Sequence, residues 1–101
     1  MAKPETLAGV KLALRISHNV LDEDIMADID ACLADLSAHG VNGPSAVETD
    51  PLVYNAIKLY CRSMYLDDVA TAEVWRQRYI DLRASLGARK GYGWAEEVGA
   101  K

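Results

Sequence analysis

Cysteine and histidine are scarce in this 101-residue chain, with two of each. Cys32 and Cys61 form no Cys-x-x-Cys pair, and a buried free thiol at each is weighed against a disulfide or metal site. Both fall in segments of helical periodicity, Cys32 on an apolar face, and both are expected to be buried free thiols. His18 and His39 are 21 residues apart and have no ligand-like spacing to either cysteine. His39 reads instead as a residue at the negative end of a helix. There is no HExxH and no GxSxG, and the C-terminal glycines follow a helix rather than a strand, so no phosphate loop forms. No apolar run approaches the roughly 20 residues of a membrane-spanning helix. The opening MAKPETLAG lacks the charged and apolar regions of a secretion signal. No internal repeat, heptad run or useful strand-like alternation occurs. From these absences we expect no enzymatic activity, no metal or other cofactor, no membrane partner, and synthesis in a reducing cytoplasm.

What is present fits one folded domain. Half of the residues are hydrophobic and 26% are charged, which sets the chain apart from disordered sequences. The length suits one domain and not two. A net charge of −4 argues against tight nonspecific binding to nucleic acid.

The central element is the stretch DPLVYNAIKLYCRSMYLD, residues 50–67. Asp50 is placed to cap a helix and Pro51 to open it. On a helical wheel Asn55, Lys58 and Arg62 share one narrow polar strip, and apolar residues fill most of the rest. A helix over 51–66 buried on several sides follows. Before it, residues 5–15 predict a short helix with Leu7, Val10 and Leu14 inward and Leu12 outward. Residues 22 to about 38 predict a second helix, with Ile25, Ile29, Cys32, Leu33 and Leu36 on its apolar face and Gly40 just past its end. After the central helix, 69–86 predicts a fourth, with Trp75, Tyr79, Leu82 and Leu86 on its main face. Val69 and Ile80 lie on its other side with no evident intramolecular partner. The fold class expected is all-α, a small four-helix bundle-like domain over residues 1–87. A flexible tail, 88–101, follows, in which Tyr92 and Trp94 have the character of docking anchors.

Charge is unevenly divided. Residues 22–35 hold six acids and no base, whereas 75–90 hold five bases and one acid, Asp81. The acidic cluster lacks the glycine and oxygen spacing of a calcium loop. Two pairings are open. Asp28 and Asp35 of one subunit can meet Arg76 and Arg83 of a neighbour, a heterologous contact of the kind that closes rings. Alternatively the same charges pair within the chain. Leu12, Val69 and Ile80 are candidates for the apolar part of an intersubunit contact.

The N-terminal half carries a motif. Leu12-Ala13-Leu14-Arg15-Ile16 ends a short helix, a polar turn follows, and Asp22-Glu23-Asp24-Ile25 opens an amphipathic helix. This resembles the head–tail connector, or adaptor, family of tailed bacteriophages and prophages. In that family a leucine-arginine-isoleucine-aspartate segment precedes an acidic turn and a helix, then a variable loop, a proline-led helix and a tyrosine-containing last helix. Pro51, Tyr60, Tyr65 and Tyr79 stand in such places, and the likeness covers about residues 5–86. Ser17 stands where the family usually has aspartate, and the loop 40–49 and the tail are unmatched. The resemblance implies a structural virion protein at the head–tail interface, without catalytic residues. Its copies would form a ring of about a dozen beneath the portal. That ring would touch the portal protein and a tail or stopper protein, and extend the channel through which DNA passes without sequence-specific binding.

The competing reading is a small nucleic-acid-binding packaging or regulatory protein. Against it, the loop 40–49 is longer than a helix-turn-helix turn. The helix at 51–66 offers phosphates only Lys58 and Arg62.

Overall fold

The computed structural model describes residues 3–43, 46–65, 69–89 and 92. These form four α-helices, α1 (Pro4–Leu14), α2 (Asp22–Ala38), α3 (Pro51–Met64) and α4 (Val69–Gly87). No strand occurs among the described residues. The all-α expectation holds, with helix ends within about two residues of those predicted.

Each helix begins and ends for a local reason. Pro4 and Pro51 occupy first-turn positions, where the missing N–H has no helical partner to lose. Asp50 Oδ2 accepts from the backbone N–H of Leu52 at 3.0 Å and of Val53 at 3.2 Å, capping α3. At the end of α2, Gly40 takes φ +92°, and Val41 N–H returns to the Leu36 carbonyl at 2.8 Å. That is the closure glycine permits and most side chains resist. α1 closes with Arg15 itself in the left-handed region, φ 60° and ψ 38°. Beyond it, Lys11 Nζ reaches Asn19 Oδ1 and Asp22 Oδ1, each at 2.8 Å. Lys11 thus pins the corner between α1 and α2.

α3 packs on each of the other three helices. Its Val53, Ala56, Ile57 and Cys61 are buried with Val10 of α1, with Ile25, Ile29, Cys32 and Leu36 of α2, and with Tyr79 and Leu86 of α4. Val41 closes the same core from the α2–α3 loop. α1 is rotated from the expected stripe, since Thr6 and Val10 are buried while Leu7 and Leu14 are half-buried. Gly9 permits a close approach. The Tyr54 hydroxyl lies 1.5 Å from where a Cβ on Gly9 would sit.

Three further expectations change. Ile80 is half-buried and packs against the core, so it does have an intramolecular partner. Trp75 does not join the core but lies over the polar strip of α3, where its ring meets Arg62. Tyr92, expected in a flexible tail, packs against the core and donates its hydroxyl to Asp50 Oδ1 at 2.8 Å. Its carbonyl also accepts from Gly43 N–H at 3.0 Å. Asp50 therefore holds the start of α3 with one oxygen and Tyr92 with the other, so Tyr92 is occupied within the domain. Trp94 and the rest of the tail beyond Tyr92 lie outside the described residues.

Candidate functional site

The seam between α3 and α4 has two sides. On one side it is met by α2. Here Asp35 of α2, Tyr60, Ser63 and Met64 of α3, and Arg76, Tyr79, Ile80 and Arg83 of α4 line a cleft of about 190 Å³. Three of its polar side chains, Asp35, Tyr79 and Arg83, pair with one another. Tyr79 donates its hydroxyl to Asp35 Oδ2 at 2.5 Å, and Arg83 reaches the same oxygen at 2.8 Å. His39 Nδ1 lies 3.3 Å from the other oxygen. Tyr60 and Tyr79 meet edge to face, with ring centroids 5.1 Å apart.

These contacts set the titration of the cluster. Burial works to raise the Asp35 pKa, but hydrogen bonds from Tyr79 and Arg83 and the nearby positive charge outweigh it. The carboxyl is held below its ordinary value. Burial, followed by the bond to Asp35, pushes the Tyr79 phenol well up. The Tyr65 phenol is raised in the same way, by burial and by its 2.7 Å bond to Asp28.

On the other side the seam is met by α1. Two adjoining clefts share Ala13 and Arg62. One is lined also by Asn55, Lys58, Leu59 and Trp75, the other by Leu14, Arg15 and Tyr65. Their volumes are about 130 and 380 Å³. Trp75 is the organiser of this side. The Arg62 guanidinium stands 4.2 Å from its ring centroid and that of Arg78 4.8 Å. Lys58 lies 4.8 Å above the Tyr54 ring. Such contacts stabilise a cation without neutralising it. Three cations, Arg15, Lys58 and Arg62, line these adjoining clefts, and Arg78 stands beside them on the Trp75 ring.

The residues singled out from sequence are dispersed. Asp35 and Arg83 come together, but within one chain, so the intramolecular pairing is the one found for them. Asp28 accepts from Tyr65. Arg76 is exposed at the rim of the α2-side cleft. Leu12 and Val69 stand out at 80% and 75% exposure, and Val20 at 83% joins them from the α1–α2 corner. The cationic groove was not legible as a unit. Trp75 and Arg78 are neighbours at i, i+3 in the sequence, but Arg15 and Arg62 reach them only through the packing of α1 and α3. Among the described residues, no group of three or more His, Cys, Asp or Glu is placed to hold a metal. No helix of the described residues is long and apolar enough to cross a membrane.

Neither a family model, nor a curated protein, nor a solved structure matches the chain.

Proposed function

We propose that the chain is a structural subunit of the head–tail connector type, assembling as a ring between the portal and the tail of a virion. The observation that carries this reading is the α1–α2 corner. The segment Leu12–Ile16, followed by Asp22-Glu23-Asp24, is the stretch that resembles the connector family. In the folded chain it is a corner fixed by Lys11 and by the left-handed Arg15, with Leu12 and Val20 turned outward. Rigid backbone under exposed apolar side chains suits a contact with another protein. The order of the four helices and the proline that opens α3 accord with the same reading.

The test is the composition of tailed particles from a host carrying this sequence. The reading expects the chain in purified particles at a stoichiometry of several copies per portal vertex, by quantitative mass spectrometry. It also expects a ring with an axial opening at that vertex, by electron microscopy. Absence from such particles overturns it.

A further inference from the structure

We infer that the cationic groove between α1, α3 and α4 is a docking site for the outward face of α2 from a second copy of this chain. The inference rests on the self-assembly in the connector reading and names the two faces that meet.

The groove gathers several cations that the fold leaves unpaired, whereas Arg76 stands by itself at the rim of the α2-side cleft. Lys11 is paired with Asp22, and Arg83 with Asp35. Arg15, Lys58, Arg62 and Arg78 make no ion pair with any described carboxylate. Arg15, Lys58 and Arg62 line clefts already shaped by the helix seam, and Arg78 rests on the Trp75 ring at their edge. Val74, half exposed, lies one turn before Arg78 on α4 and adds apolar surface at that edge.

The complementary face is on the same molecule. Glu23, Ala27, Ala31, Ala34 and Ala38 fall on one strip of α2 at helical spacing, and all five are exposed. Asp24, also exposed, borders the strip. Alanine has no side chain beyond Cβ, so another helix surface can come close along this strip. The acids stand at its N-terminal end, able to meet cations across the contact. The inward acids of α2 are already used, Asp28 by Tyr65 and Asp35 by Tyr79 and Arg83. What remains outward is a smooth acidic face, and what remains around the groove is positive. The two faces are different patches, so the contact is heterologous and repeats from copy to copy. A nucleic-acid backbone would also suit the cations, but the chain's net charge of −4 opposes its approach.

A charge exchange tests the assignment. One variant carries Lys58→Glu and Arg78→Glu in the groove, and the other Glu23→Lys and Asp24→Lys on α2. Both are checked for native helix content by circular dichroism. Sedimentation velocity over micromolar to near-millimolar concentration should show the unaltered chain associating reversibly, and less so at high salt. Each variant alone should associate roughly tenfold more weakly or worse, because like charges then face each other. An equimolar mixture should recover association, since each reversed face finds its opposite. Ala31→Arg, at an exposed position of the strip, should also block association and guards against misfolding of the charge variants.

The inference is overturned if the variants associate like the unaltered chain or if mixing them restores nothing. It is overturned equally if the unaltered chain stays monomeric throughout. It is replaced by a polyanion site if labelled duplex DNA binds the unaltered chain at low salt and the groove variant loses that binding. None of these outcomes removes the chain from a virion, which the particle composition decides separately.

Discussion

The two sides of the α3–α4 seam are built from the same kinds of side chain, arginines beside aromatic rings, and they come to opposite ends. Where α2 closes the seam it brings a carboxylate, and Asp35 gathers Tyr79 and Arg83 into a neutral, partly buried cluster. Where α1 closes it, the residue brought is another cation, Arg15. Arg62 and Arg78 then rest on the Trp75 face, which holds them in place and leaves their charge unanswered. For Arg83 and Arg62, the helix that closes the seam decides whether the charge is answered, and Arg76, at the rim of the α2 side, stays exposed.

The comparison can be broken from both sides. The largest effect is expected where the sides share a support. Ile57, fully buried on α3, should cost about 2–5 kcal/mol on change to alanine, by urea denaturation. Next comes the satisfied side. Asp35→Ala leaves the buried Tyr79 hydroxyl without its acceptor and should cost about 1–3 kcal/mol, toward the lower figure because the Asp35 side chain keeps 30% exposure.

The same cluster fixes a pH dependence. The folded Asp35 pKa lies below the unfolded value, so its contribution is complete above the unfolded pKa near 3.8 and is lost as pH falls through the folded one. Chain stability should therefore decline on acidification below about pH 4, and Asp35→Asn should flatten that decline in acid titrations followed by circular dichroism.

Gly9 offers a smaller test on the α1 side. Alanine there raises helix propensity by about 1 kcal/mol but meets the Tyr54 ring. Gly9→Ala alone should fail to stabilise. In a Tyr54→Ala background it should raise the melting temperature. The smallest effect belongs to the unanswered cations. Lys58→Ala and Arg78→Ala should each move stability by no more than about 0.5 kcal/mol, and a larger loss would mean that this side is structural as well.

Much of this fold was legible in local chemistry. Asp50-Pro51 announced α3, Gly40 announced the end of α2, and the spacing of Ile25, Ile29, Cys32 and Leu36 announced its inward face. Contacts between distant residues were less so. Asp28 and Tyr65 are 37 positions apart and Tyr92 and Asp50 are 42 apart, and nothing near either pair in the chain advertises the other. The charge asymmetry between 22–35 and 75–90 was visible, but it gave no way to separate inward acids from outward ones. That separation depends on how α2 is turned, which is a property of packing. Trp75 misled for a related reason. Its size suggests a core residue, yet a ring face can also be covered by guanidinium groups.

The two thiols have a use the fold did not advertise. Cys32 on α2 and Cys61 on α3 are both buried and unpaired. Burial raises the Cys32 pKa well above its ordinary value and that of Cys61 to about 12. In the closed chain at neutral pH neither is a nucleophile, and an uncharged alkylating reagent can reach them only when the structure opens. They are internal clocks on two helices of one core. Equal labelling rates mean that the domain opens in a single cooperative step. Unequal rates mean that part of the core opens before the rest.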